Sequence, residues 1–323
     1  MRLMAVIGVL VGLAGAGTLA WNEFALARQL GAFAVARARL DNGTEGGVVH
    51  VVGTASASAP VREPMFGLAV DALRLDRTAE TYQWLETREG TGDNKNLRYE
   101  KIWSPELIRS ARFEQRSFHA NPPSLPLTSA RFRAETVVLS MNELGPALVD
   151  ALPATREWRP DRHGPVRSGR LVFARAGDWL YSGDPVSPKI GDVRVRFAAA
   201  PPGLLSVVAA QDGRRLVPFR TFGGGTVALA AYGNVDADEM LHAASRADWR
   251  EAWALRGFGA MAMLLGTLFT MPLLSTTFGG NAAFHGRRRV GTMLMLAAGL
   301  AAAVCAISWM GARILLQLAP LAG

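Results

Sequence analysis

The chain has a single cysteine, lysine only at Lys95, Lys101 and Lys189, and no acidic residue before Glu23 or after Glu251. With Cys305 as the sole thiol, no disulfide can close within the chain and no thiolate cluster can hold a metal. Cys305 lies in an alanine-rich apolar run and reads as a small packing residue. Five of the 35 basic residues, Arg2, Arg287, Arg288, Arg289 and Arg313, fall outside residues 22–256, which hold all 27 acids. The 30 that remain nearly balance those acids, so the formal charge of +8 belongs mostly to the flanks. A nucleic-acid partner, which would call for a basic stripe on the folded part, is thereby excluded. Catalytic signatures are scarce too. There is no Gly-x-Ser-x-Gly elbow and no His-Glu-x-x-His pair, and the run Gly223, Gly224, Gly225 lacks the Lys-Ser/Thr of a phosphate loop. That run reads as a hairpin turn.

What is present is long apolar sequence. Residues 257–284 and 290–312 carry no Asp, Glu, Lys or Arg outside the Arg287, Arg288, Arg289 cluster between them. Each reaches the roughly 20 residues that a helix needs to cross a bilayer. Both are predicted helical spans, with Pro272 as a kink, because backbone polar groups in lipid must be satisfied within the segment. The three arginines are expected to form a short basic loop on the cytoplasmic side. The spans offer no charged group for a proton-coupled or ion-selective path. Residues 3–21 form a third apolar run, expected to be an uncleaved anchor, with Gly8 and Gly12 spaced for close helix approach. After Arg313 only about ten residues remain, too few to cross, so a tail along the interface or re-entering the bilayer is expected.

Between the apolar runs the pattern is mainly β. Alternation or apolar runs predict strands at 48–52, 68–87, 98–103, 130–139, 171–173, 179–181, 192–199, 204–210, 216–219 and 227–231. Residues 41–47 and 91–96 read as turns, 142–152 as a short helix, and 156–170 as a charged loop. Three prolines within 121–126 bar a central strand there. From Asp236 the pattern turns helical, with Asp236, Asp238 and Glu239 early and Arg246, Arg250 and Arg256 late, as the helix dipole favours. The predicted fold is an α+β membrane protein: anchor 1–21, helical stalk and linker 22–47, mainly-β extracytoplasmic domain 48–235, juxtamembrane helix 236–256 and membrane hairpin with tail 257–323.

For hydrolysis the chain offers His50, His119, His163, His242 and His285 alongside its serines. His50 falls in a strand and His119 beside an Asn-Pro turn, where an imidazole serves to pin a carbonyl. Tyr82, Trp84 and Trp103 suit packing on a half-buried sheet, with a ligand-stacking face as the alternative. Asp192 and Arg194, two apart on one strand, suggest an ion pair or a turn contact.

An ordered set of short motifs resembles the transmembrane protein 43 (LUMA) family. The set is Val49-His50-Val51-Val52-Gly53; Tyr82-Gln83-Trp84 with Glu86; Trp103-Ser104 followed by Glu106-Leu107-Ile108 and Phe113; His119 and Asn121-Pro122; Gly191-Asp192-Val193-Arg194-Val195; and Leu216-Val217-Pro218-Phe219. The resemblance implies a non-enzymatic integral membrane protein that self-associates, needs no cofactor or metal and holds its β domain on the lumenal side. Eukaryotic members are linked to the endoplasmic reticulum and inner nuclear envelope. The Arg-rich and Ala-rich composition here points to a bacterial relative in the inner membrane, with a periplasmic domain. The family's fourth span has no counterpart after Arg313. Residues 47–60 and 191–218 each read as a small β module. The second resembles the barrels beside membrane anchors in related E3 ligases, which suggests an oligonucleotide-binding-like barrel; the ligase function does not carry over without zinc-binding cysteines. The expected role is a membrane scaffold or sensor, with the bilayer, further copies of the chain and other membrane proteins as partners. A membrane-surface hydrolase using His119 or His50 and an oligomeric channel or lipid conduit stand as alternatives.

Overall fold

A computed structural model describes residues 2–40, 47–89, 96–159, 166–277 and 286–318, with side chains for all of these except 2, 89, 271–277, 286–297 and 315–318. Of the turns expected at 41–47 and 91–96, residues 41–46 and 91–95, with His163 and His285, lie outside the described residues, and Asn96 begins a strand.

Strand Val48–Ala57 pairs antiparallel with Gly203–Asp212 from Val48↔Ala210 to Ala55↔Gly203, and its far end pairs with Val137–Leu139. Val137–Leu139 pairs with Asn142–Leu144, which lies parallel to Arg215–Val217, and that strand returns to Gly203–Asp212. Five strands therefore close on themselves in the order first, second, third, fifth, fourth, first. Closure leaves the ring no free edge. A short helix, Pro146–Ala151, follows the third strand. This is the five-stranded Greek-key barrel of the oligonucleotide-binding type. The two modules expected at 47–60 and 191–218 are thus not separate: Val48–Ala57 and Gly203–Asp212 are partners in one barrel, while Val193–Ala200 belongs to a second sheet.

That second sheet is built from the two long connections of the barrel, residues 58–136 and 152–202. Its spine is the strand Arg74–Glu89, paired with Val193–Ala200 on one side and with Ala130–Arg133 and Asn96–Ser104 on the other. Leu73, Leu75, Phe173, Val193, Val195 and Phe197 join barrel residues Leu139, Leu205 and Leu216 in one continuous core. The ring of Phe66 packs 5.2 Å from Phe173 and 5.3 Å from Phe197. Within this core Arg77 and Glu63 form a buried ion pair, and Glu63 also accepts the Phe66 N–H at 2.6 Å.

Three local expectations are corrected. The helix expected over 142–152 divides into strand Asn142–Leu144 and helix Pro146–Ala151, because Pro146 suits a first helical turn and cannot donate to a ladder. The loop expected at 156–170 holds strand Arg156–Trp158, paired long-range with Phe197–Ala199, and strand Val166–Ser168, paired in a local hairpin with Leu171–Phe173; in both, pairing outweighs the charge. The strand expected over 216–219 is broken at Pro218 into Arg215–Val217 and Phe219–Arg220.

Among the described residues there are four α-helices: α1 (Arg2–Arg39), α2 (Pro146–Ala151), α3 (Ala237–Thr277) and α4 (Gly286–Leu318). Arg287, Arg288 and Arg289 lie in the first turn of α4 rather than in a loop. Two stretches, Leu3–Arg39 and Ala237–Thr270, are long and apolar enough to cross a membrane, and α4 adds the shorter apolar run Ala298–Ile314. Helices α1 and α3 run antiparallel: Asn22 donates to the Ala252 carbonyl at 3.2 Å, and Arg37 meets Asp238 at 2.8 Å. Trp249 on α3 packs 5.8 Å from Trp309 on α4, so α4 reverses direction again. Above the apolar runs, Ala32, Phe33 and Ala36 of α1 and Met240 and Leu241 of α3 share a core with Val48, Val208, Phe219 and Val227 of the β region. The helices enter the β domain already packed against it.

Candidate functional site

Most motif residues gather on one edge of the second sheet. Strand Val193–Ala200 accompanies the spine only as far as Thr81, while Asn96–Ser104 continues on the other side to Glu89. Beyond Thr81 the spine would present unpaired backbone groups, the usual liability of a sheet edge. The motifs close that edge. Tyr82 donates its N–H to the Asp192 carbonyl at 2.8 Å and accepts Gly191 N–H at 2.9 Å. Two residues on, at the same edge, Trp84 N–H donates to the Asn121 side-chain oxygen at 2.7 Å and Trp84 carbonyl accepts the Asn121 amide at 2.9 Å. The Asn121 carboxamide acts as one residue of a missing strand. Its second amide hydrogen goes to the Ile108 carbonyl at 3.0 Å. Gly191 adopts φ +94°, a conformation that favours glycine, and Pro122 packs in ordinary contact beside it.

The segment after Ser104 wraps this edge. On one face Gln83, fully buried, donates to the Glu106 carbonyl and accepts Ile108 N–H, both at 2.9 Å. On the other face, where side chains of Tyr82, Trp84 and Glu86 alternate outward, Glu86 accepts the Tyr99 hydroxyl at 2.6 Å, Glu114 N–H at 2.7 Å and Arg88 at 3.0 Å. The His119 imidazole lies flat on Tyr99 at 3.7 Å and edge-on to Trp84 at 4.6 Å. Its Nδ1 faces the Gln115 carbonyl at 3.2 Å. Lys101 covers the Trp84 ring at 4.8 Å. Farther along the face, Arg194 stacks between Trp103, at 4.7 Å, and Trp179, at 4.3 Å, with Tyr82 beside Trp103 at 5.0 Å. Arg194 pairs with Glu80 at 2.5 Å rather than with Asp192. Asp192 makes the turn contact instead, accepting Lys189 N–H at 2.7 Å.

The Tyr99 hydroxyl, with Glu114 N–H and Arg88 behind it, holds Glu86 below the usual carboxylate range. A carboxyl with a depressed folded pKa stabilises the fold above its ordinary value, and that stabilisation is lost as pH falls through the folded pKa. Once pH falls below 4.5, the ordinary value, the Glu114 and Gln115 amides are expected to exchange hydrogen progressively faster than intrinsic rates explain. Glu86→Gln should remove that pH dependence. Asn121→Ala leaves two carbonyls and one N–H without their partner, at about 1–3 kcal/mol for each buried group left unsatisfied. Loss of exchange protection across 104–122, with the barrel amides unchanged, is the expected readout.

The remaining motif residues belong to the barrel. His50 Nε2 meets the Val235 carbonyl at 3.0 Å, fixing the chain where it enters α3. Gly53 passes so close to Ser140 that a Cβ would collide with its hydroxyl. Pro218 separates two short strands, and Phe219 packs under Arg39 at 5.7 Å. Of the motif residues, Tyr82, Gln83, Trp84, Glu86, His119, Asn121, Pro122, Gly191 and Asp192 are brought together; Trp103 and Arg194 adjoin them; His50, Gly53, Pro218 and Phe219 stand apart. Both histidines hydrogen-bond main-chain carbonyls.

Sequence reasoning missed a second constellation, where α1 and α3 leave the apolar region. Glu23, with its side chain 1 % exposed, takes Arg256 through both oxygens at 2.6 and 2.7 Å. Arg256 also lies over Trp249 at 5.2 Å and Trp253 at 4.7 Å. The signal was available. Glu23 is the first acid after one apolar run and Arg256 the last base before the next, so antiparallel helices must bring them level.

Fold and geometry define a membrane protein whose β domain, built on a five-stranded barrel, is carried by a helical bundle. The family model for transmembrane protein 43 matches residues 81–314, and the chain belongs to that family. Transmembrane protein 43 of Homo sapiens is 31% identical over 251 residues, covering 72% of this chain and 62% of the relative. The Mus musculus protein is 29% identical over the same coverage, and the Drosophila melanogaster homolog 27% identical over 297 residues, 85% of this chain and 78% of its own. The aligned part thus spans less than two thirds of the mammalian relatives. No solved structure matches the chain.

Proposed function

We propose that this protein is a non-enzymatic membrane scaffold or sensor, in which the β domain engages protein or lipid partners and the helices hold it at a fixed attitude to the bilayer. The carrying observation is the shared core of α1, α3 and the barrel, which joins the apolar helices to the β domain through Ala32, Phe33, Ala36, Met240 and Leu241. A packed joint transmits orientation; a loose tether would not. The edge clamp fits the same role. Its polar groups are used in backbone pinning, and His50 and His119 are engaged with carbonyls in place of a nucleophile. Self-association then falls to outward faces such as Leu300, Ile307 and Met310 of α4. In the bacterial inner membrane the β domain would be periplasmic and Arg287, Arg288 and Arg289 cytoplasmic, in keeping with the positive-inside bias. Reporter fusions at residues 45, 285 and 323, combined with cross-linking in native membranes, test the proposal. Residues 45 and 323 should report outside, 285 inside, and cross-linking should give discrete oligomers. A strictly monomeric pattern or a cytoplasmic residue 45 overturns it.

A further inference from the structure

The hairpin formed by Phe219–Arg220 and Thr226–Val227 lies along α1. Its base is level with the end of the helix, where Phe219 packs under Arg39. Its tip is level with Arg28, whose side chain comes within 3.4 Å of where a Gly224 Cβ would stand. At 1.5 Å per residue, the eleven residues from Arg39 to Arg28 carry the hairpin about 16 Å toward the apolar end of α1. The tip is docked firmly. Gln29 donates to the Thr226 carbonyl at 2.6 Å and accepts its N–H at 3.3 Å, and a Cβ on Gly225 would fall 2.6 Å from both the Arg28 carbonyl and Ala32. The turn closes on itself through Thr221 N–H to the Gly225 carbonyl at 3.0 Å and Gly224 N–H to the Thr221 carbonyl at 2.9 Å. Gly224, at φ +80°, needs to be glycine. Yet this braced turn presents Phe222 with 80 % of its surface exposed.

Height explains the exposure. Arg28 is seven residues from Trp21, about 10 Å along the helix, and Trp21 and Trp253 mark the aromatic level that sits at membrane interfaces. The headgroup layer is about 5–8 Å deep on each side of the hydrocarbon, so the hairpin tip stands within about one phenylalanine side-chain length of it. The surroundings suit lipid phosphate. The Asn22 to Ala252 and Arg37 to Asp238 contacts set the register of α3. They put exposed Arg246 at the height of Arg28 and exposed Arg250 about one helical turn nearer Trp21, and Arg220 is exposed on the hairpin itself. Asp248 and Glu251 face the same level, leaving a mixed but net basic rim.

We propose that Phe222 is a bilayer contact: a preformed hairpin tip that seats its ring among the lipid headgroups and so fixes the β domain against the membrane surface at a second point beside the helices. The inference rests on α1 spanning the membrane. To test it, nitroxide labels are placed singly on a Cys305→Ser background at Phe222→Cys, at Leu10→Cys in the apolar part of α1 and at Val186→Cys, an aqueous control 90 % exposed on the β domain. The full-length protein is reconstituted in phosphatidylcholine–phosphatidylglycerol vesicles, and power saturation with oxygen and a water-soluble nickel chelate is measured. Position 222 should show severalfold lower nickel access than 186 and a depth between 186 and 10. Equal access at 222 and 186, with 10 in the hydrocarbon, overturns the contact alone; an aqueous reading at 10 overturns the spanning helix and the contact with it.

Discussion

Glu23→Gln is expected to destabilise the helical bundle by about 3–5 kcal/mol, the cost of removing one member of a buried ion pair. The carboxylate is 1 % exposed and Arg256 16 % exposed, and the bidentate geometry uses both oxygens. Asn22 supports the same junction through its amide to the Ala252 carbonyl. Without the carboxylate, the guanidinium remains over Trp249 and Trp253 with no anion, in a position too enclosed for full hydration. The double replacement Glu23→Leu with Arg256→Met should recover most of the loss, since a well-packed apolar pair avoids the desolvation that charged groups incur. Unfolding by dodecyl sulfate in mild detergent, followed by tryptophan fluorescence, measures both. A single-variant loss under 1 kcal/mol would mean that solvent or lipid already satisfies Arg256 and that the pair does not hold the bundle.

The features legible in the sequence were those written in local pattern. Charge-free runs announced α1 and α3, and Asp238 and Glu239 marked the start of α3 within a residue of its observed position. The long strands Arg74–Glu89 and Gly203–Asp212 followed from alternation and apolar runs. Barrel closure was harder to read, because three of its five strands, Val137–Leu139, Asn142–Leu144 and Arg215–Val217, are three residues long, and the pairings that close the ring, Val48–Ala57 with Val137–Leu139 and Asn142–Leu144 with Arg215–Val217, join segments far apart in sequence. At that length there is no period to detect. The edge clamp shows the same limit in another form. Trp84 pairs with a side chain, so Asn121 gives no strand signal, and its neighbours Pro122 and Pro123 point away from sheet structure altogether. Of the motif residues, Tyr82 pairs with Gly191 and Trp84 with Asn121 on one sheet edge, whereas His50, Gly53, Pro218 and Phe219 lie in the barrel region.

Gly266→Leu should open the α1 and α3 pair. A Cβ at Gly266 would lie 2.6 Å from Gly12 N and from the Gly8 carbonyl, and one at Gly15 would lie 2.7 Å from the Gly259 carbonyl. These neighbours are backbone atoms, so no rotamer change relieves the contact and the helices must separate. In lipid, separation is not offset by hydrophobic burial, because association there relies on close van der Waals packing. The loss should reach at least the roughly 1–3 kcal/mol typical of overpacking. Gly17→Ala is the control: nothing lies within 4 Å of its Cβ position, so alanine should be neutral or stabilise by up to about 1 kcal/mol through helix propensity. The same pair of variants separates two uses of the glycines. Spaced glycines on a span can serve contact between copies, whereas here Gly8, Gly12 and Gly15 meet Gly259 and Gly266 of the same chain. Gly266→Leu is therefore expected to lower bundle stability in dodecyl sulfate titration. If it abolished cross-linked oligomers while leaving that stability unchanged, the glycine face would belong between molecules and the intramolecular packing of α1 on α3 would be wrong.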